Sequence, residues 1–209
     1  MSNSAERIAR NLLQINAIKL NPQKPFTWAS GIKSPIYCDN RLTLSYPKVR
    51  TEIVEAFTEV IKGMEFDIIG GIATAGIPHG ALLADRLEKP YLYVRSKAKA
   101  HGRQNKIEGN LPEGAKVLLV EDLISTGMSS LSAVEAVRDA GGQVDTVLSI
   151  FNYGFQRAVD AFEAKNCTFV SLSNYDILLK QAVENGFLES DQLELLSRWK
   201  VDPENWMNN

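Results

Sequence analysis

The sequence predicts an α/β fold, a parallel central sheet flanked by helices. Three observations predict it. Short runs rich in Val, Ile and Leu recur without polar alternation, the mark of strands buried on both faces. Segments with helical apolar spacing separate these runs. Clusters of Gly, Ser, Thr and acidic residues follow several of them, where open parallel sheets place their ligands.

Taken in order, Ala5 to Ala17 carries Ile8, Leu12, Leu13 and Ile15 at near-helical spacing, and Asn21-Pro22 stops that helix. The stretch FTWASGIKSPIYCDNR, Phe26 to Arg41, is punctuated by Gly, Pro and Ser and reads as short strands and turns. Tyr46 to Lys62 is helical, with Val49, Ile53, Phe57, Val60 and Ile61 on one face. Alternation then begins. Strands are expected at Phe66 to Ala73, Tyr91 to Val94, Lys116 to Glu121, Val144 to Phe151 and Cys167 to Leu172. Helices are expected at Gly76 to Leu87, Met128 to Ala140 and Gly154 to Ala164, with two more between Tyr175 and Trp199, parted near Gly186. Arg95 to Gly114 has no apolar pattern and reads as a functional loop.

The 209 residues fit one domain, and an apolar fraction of 44% supports a sizeable core. A net charge of −2 argues against a general nucleic-acid binder. Cys38 and Cys167 stand in no metal-type spacing, and read as reduced thiols. No secretory signal is recognised, and no apolar run approaches the ~20 residues that span a bilayer. A cytoplasmic protein without membrane or nucleic-acid partners is expected.

The most informative stretch is KVLLVEDLISTG, Lys116 to Gly127, followed by Met128 and Ser129. A buried strand ends in two adjacent acids, then a turn carrying hydroxyls enters a helix. Unpaired N–H groups at that helix start would favour an anion, and Ser125, Thr126 and Ser129 add donors. Acids beside a phosphate would repel it, so Glu121 and Asp122 must face something else: sugar hydroxyls, a bound cation or growing positive charge. A strand, an acid pair and a turn alone would equally describe a helix capped by Ser125 or Thr126.

The whole string resembles the phosphoribosyl-pyrophosphate (PRPP) signature of type I phosphoribosyltransferases. The resemblance implies that fold, with a parallel central sheet and a small N-terminal hood. The hood and first helix would span about 1–45, the α/β core about 46–172 and C-terminal helices about 173–209. It implies that Glu121 and Asp122 accept from ribose hydroxyls, that Asp122 is catalytic, and that Glu121 through Ser129 (with Leu123, Ile124, Ser125, Thr126, Gly127 and Met128) bind PRPP. Mg2+ is the implied cofactor, held mainly by PRPP rather than by dedicated protein ligands.

Two further segments resemble orotate phosphoribosyltransferases, of the Gram-positive-type subgroup. FTWASGIKSPIYCDNR is similar to their hood, and RSKAKAHG, Arg95 to Gly102, to their catalytic loop. Arg95, Lys99 and His101 are thereby implied on PRPP, with Lys99 and His101 catalytic at the leaving pyrophosphate. Lys97, Arg103 and Lys106 read as solvated charges. Ser125, Lys33, Tyr37 and Cys38 are implied around orotate, although Ser34 to Tyr37 alone would also suit a plain strand edge. The family's loop reaches into a neighbouring subunit, which implies a homodimer sharing Arg95 to His101. Enterobacterial relatives carry lysines where this chain has Ala29, Ala75 and Ser96, so no role is assigned there. Either backbone groups and Lys33 replace them or PRPP binding is weaker. The implied reaction joins orotate to PRPP, giving orotidine 5'-monophosphate and pyrophosphate in UMP biosynthesis. The alternatives are another PRPP-dependent nucleobase transferase or a PRPP-binding regulator.

Overall fold

The computed structural model describes residues 2–28, 31–96 and 106–207. A six-stranded sheet organises the chain, in the order β10-β9-β8-β5-β6-β7. Its strands are β5 (Ile68–Ile72), β6 (Tyr91–Val94), β7 (Ile107–Glu108), β8 (Val117–Ile124), β9 (Thr146–Asn152) and β10 (Thr168–Asn174). All neighbours run parallel except β6 and β7. The expected strands and helices are present, with ends shifted by a few residues.

Both faces of the sheet are covered, as the continuous apolar runs predict. Within β8, Val117 and Leu119 face one core and Leu118 and Val120 the other. One core takes in Leu83 and Ala84 of α3 (Gly76–Leu87) and Ile53 and Phe57 of α2 (Pro47–Val60). The other takes in Val134 and Val137 of α4 (Met128–Asp139) and Ala158 and Phe162 of α5 (Gln156–Ala164). The first core also receives Ile8 and Leu12 of α1 (Ser2–Gln14), Leu178 of α6 (Tyr175–Glu184) and Leu196 and Trp199 of α7 (Leu193–Val201).

Three features differ from the sequence expectation. The first helix ends at Gln14 because Asn16 takes a left-handed φ of 57°. The chain then forms β1 (Ile18–Leu20), antiparallel to β4 (Ile36–Cys38), while β2 (Phe26–Thr27) pairs with β3 (Lys33–Ser34). Second, Arg95 to Gly114 is not structureless throughout: Ile107–Glu108 returns along β6, and Arg95 N–H bonds to the Lys106 carbonyl at 2.7 Å. Third, β8 runs three residues beyond Glu121, because Leu123 and Ile124 still pair with Phe151 and Asn152. The acids therefore lie inside the strand rather than at its mouth.

The order of the strands sets the site. From β5 the chain crosses to β6 on one side, and β8 lies on the other side of β5. The carboxyl ends of β5 and β8 thus flank a topological switch point, where α/β sheets open a crevice.

Candidate active site

At the end of β8 the turn Ser125-Thr126-Gly127 leads into α4. Gly127 is the residue before the helix, with φ 82°, and no side chain caps it. The capping alternative for Ser125 or Thr126 is thereby corrected: neither hydroxyl closes the helix. The first N–H returning into the helix is Leu131, which bonds to the Gly127 carbonyl at 2.9 Å. The three before it, at Met128, Ser129 and Ser130, sit at the positive end of the helix dipole. Glycine suits this turn, since a Cβ there would also meet Phe162 at 2.8 Å.

Across the crevice, β5 ends at Ile72 and Thr74-Ala75 lead into α3. Gly76 lets α3 start against the backbone of β8, where a Cβ would run into the Val120 carbonyl. The two helix starts therefore converge beside the acid pair.

Glu121 is 5% exposed and Asp122 half-buried. Burial pushes the Glu121 carboxyl well above the usual carboxylate range, the Asp122 charge adds to this, and the Ser129 hydroxyl pulls the other way. Burial also raises Asp122, opposed by hydrogen bonds from Glu121 and from backbone groups. Glu121 Oε1 accepts from the Asp122 N–H at 3.1 Å. No salt bridge to either acid is found among the described residues. A buried carboxyl beside a half-buried one, with the Arg41 charge acting on Asp122 without a salt bridge, forms an acceptor pair suited to ligand hydroxyls or to positive charge.

The hood meets this pair. Asn40, fully buried, donates through Nδ2 to the Asp122 carbonyl at 2.8 Å and accepts from Cys38 Sγ at 3.3 Å. Burial and the neighbouring Asp122 and Asp39 charges hold Cys38 as a thiol. A pocket of about 290 Å³ opens beside it, lined by Thr27, Trp28, Tyr37, Cys38, Leu123, Ser125 and Tyr153. Tyr153 is neutral, its phenol raised well above the ordinary range by burial.

The expected base residues Ser125, Tyr37 and Cys38 come together on this pocket. Lys33 does not line it, and its Nζ donates to Thr27 Oγ1 at 2.7 Å on the rim. Arg95 follows β6, 3.5 Å from Glu108. Lys99 and His101 lie outside the described residues, as do Lys97, Arg103 and Ala29. Lys106 is partly exposed, and its Nζ donates to Ser132 Oγ at 3.2 Å. Sequence reasoning missed Trp28, Asn40, Leu123 as pocket wall, and Tyr153. The aromatic spacing of Phe151, Tyr153 and Phe155 after a strand was the available signal.

A strand, an acid pair and a dipole-ended turn at a switch point define the class, and a family model for the phosphoribosyl transferase domain matches residues 44–176. Relatives narrow it. The orotate phosphoribosyltransferase of Bacillus pumilus (strain SAFR-032) is 55% identical over 207 residues, covering 96% of this chain and 97% of that protein. The one from Enterococcus faecalis (strain ATCC 47077 / OG1RF) is 51% identical, covering 99% of each. The chain belongs to the orotate phosphoribosyltransferase family. Among solved structures, the Aeropyrum pernix orotate phosphoribosyltransferase aligns with TM-score 0.75 and 29% identity, over 87% of this chain and 99% of that one. The Mycobacterium tuberculosis enzyme solved with PRPP aligns with TM-score 0.67 and 25% identity, over 84% and 98%. Both share the type I phosphoribosyltransferase fold seen here.

Proposed function

We propose that this chain joins orotate to the phosphoribosyl group of PRPP, giving orotidine 5'-monophosphate and pyrophosphate. A bond forms between a ring nitrogen of orotate and the anomeric carbon. The bond to pyrophosphate breaks with its electron pair, and the nitrogen proton is lost. The observation that carries the reading is the juxtaposition of a base-sized pocket with the acid pair and the turn before α4, joined through Leu123 and Ser125.

Each part of the site has a separate task. Backbone N–H groups of residues 128–130 and the hydroxyls of Ser125, Thr126 and Ser129 hold the 5-phosphate. Glu121 and Asp122 accept from the ribose hydroxyls, and their charge grows in value as the sugar becomes cationic. The pocket walls, Tyr37, Cys38, Trp28 and Tyr153, present apolar faces and few donors to a flat ring. Ser125 belongs to both halves. Arg95, Lys99 and His101 would serve the leaving pyrophosphate, with the Arg95–His101 loop shared between the subunits of a homodimer. The acids and hydroxyls here suit a hard cation held mainly by substrate oxygens, and bound Mg2+ supplies neutralising charge on the pyrophosphate.

The test is a panel of orotate, uracil, adenine, guanine and hypoxanthine, each with PRPP and Mg2+. Orotate is expected to turn over at least 100-fold faster than any other base, which corresponds to roughly 3 kcal/mol of discrimination. Turnover of a purine without orotate would sink the reading.

A further inference from the structure

The base pocket is built on a hairpin that the far end of the chain holds shut. The β2–β3 hairpin supplies two of its walls, Thr27 and Trp28. Among the described residues two register pairs join these strands, Phe26 with Ser34 and Thr27 with Lys33, and the Trp28 N–H adds one bond to the Ile32 carbonyl at 2.9 Å. A two-stranded ribbon of that length is not stable in water by its own hydrogen bonds. Something else must fix it.

On the β2 side the Trp28 indole donates to the Ile36 carbonyl at 3.2 Å, and on the β3 side the C-terminal segment supplies the tie. After α7, the turn from Asp202 is closed by Trp206 N–H to the Asp202 carbonyl at 3.1 Å and by Asn205 N–H to Asp202 Oδ1 at 3.2 Å. This aims the Trp206 indole, 3% exposed, at the hairpin. Its Nε1 donates to the Lys33 carbonyl at 2.9 Å, across 173 residues of sequence. The Lys33 side chain in turn donates to Thr27 Oγ1. Trp199, one helix earlier, acts differently. Its Nε1 has no hydrogen-bond partner among the described residues, and it works through its ring faces. Its ring lies 5.8 Å from Trp28 and 5.6 Å from Tyr153, directly behind two pocket walls.

We propose that Trp206 is a positioning residue for the base: through the Lys33 carbonyl it sets the β2–β3 hairpin, and with it the Thr27–Trp28 wall against which orotate packs. The proposal rests on the reading of the pocket as the orotate site. It concerns the base first, since the Trp206 indole N–H bonds to the hairpin and not to the acid pair or the turn before α4.

Trp206→Phe keeps a ring and removes the N–H donor, and it is the decisive variant because Trp206→Ala could simply unfold the tail. Steady-state rates with orotate and PRPP varied separately give the readout. Losing one buried hydrogen bond of about 1 kcal/mol should raise the KM for orotate roughly 3- to 10-fold. The KM for PRPP and kcat should stay within twofold. Hydrogen exchange in a peptide covering residues 26–36 should quicken, with β8 unchanged. An unaltered orotate KM overturns the proposal. So does an equal rise in both KM values, which would mark general softening. Wild-type protein inactive on orotate would remove the underlying function as well, whereas active wild type with an indifferent variant removes only the role of Trp206.

Discussion

The two halves of the site are built by opposite strategies. The half proposed for the sugar phosphate occupies nine consecutive residues, Glu121 to Ser129, on one strand, one turn and the start of one helix. Its tools are backbone N–H groups and buried carboxyls. The half proposed for the base draws on Thr27, Trp28, Tyr37, Cys38, Leu123, Ser125 and Tyr153, and is backed by Trp199 and Trp206. Its tools are aromatic surfaces, set by packing between distant segments. A rigid local cradle suits a ligand part common to many reactions. An assembled pocket can change its lining without disturbing that cradle.

Asp122→Asn should break the first half most severely. The side chain keeps its size and loses its charge, while Asn40 still holds the Asp122 main-chain carbonyl. Removing a group that meets developing charge costs roughly 10²- to 10³-fold in rate. We expect kcat/KM to fall by that factor with the unliganded melting temperature not lowered. A variant retaining activity within fivefold of wild type would contradict the role given to Asp122.

The same contrast explains what could be read from sequence. Glu121, Asp122 and the Ser125–Ser129 turn were legible because their chemistry and spacing are local, and the fold followed from uninterrupted apolar strands. Asn40 was not legible, because its partner is 82 residues away and only folding brings them together. Trp28 and Tyr153 were unreadable for the same reason: nothing in either segment announces that the rings meet at 5.5 Å. The position of the acids within β8 was missed because pairing with β9 continues past two charged residues, which a hydrophobicity pattern counts as a strand end.

Gly127→Ala sharpens the comparison by touching the cradle through backbone alone. The φ of 82° is costly for a residue with a Cβ, by about 1–2 kcal/mol, and Phe162 stands in the way. The turn must shift to relieve this, moving the N–H groups of residues 128–130. PRPP affinity measured by calorimetry should weaken roughly tenfold, the equivalent of about 1.4 kcal/mol. The Trp206→Phe change should do the reverse and spare PRPP. If both variants weakened PRPP alike, the two halves would not be independent.

Glu121→Gln should have the smallest effect on rate and a diagnostic one on stability. The Glu121 carboxyl is raised in the folded protein from its ordinary value of 4.5, chiefly by burial and secondly by Asp122. Below pH 4.5 the folded and unfolded chains both carry the proton, and burial costs nothing extra. As pH rises, the unfolded chain releases it first, so the folded state binds more protons and loses stability. The loss is complete above the folded value. His79 slopes the other way: burial and the Arg50 charge lower it to about 4, so it contributes stability at neutral pH that is lost as pH falls from 6.5 towards 4. The amide in Glu121→Gln cannot ionise, and should abolish the Glu121 slope while leaving the His79 slope intact. Without ligand, the variant should melt about 2–4 °C above wild type at pH 8 for each 1 kcal/mol relieved, and the two should converge near pH 4. With PRPP, wild type should gain more than the variant if the carboxylate raised by burial is the one that meets the sugar hydroxyls, as proposed. A variant that melts at or below wild type at pH 8 would mean that Glu121 is already compensated in the empty site, and that the acid pair is structural rather than poised.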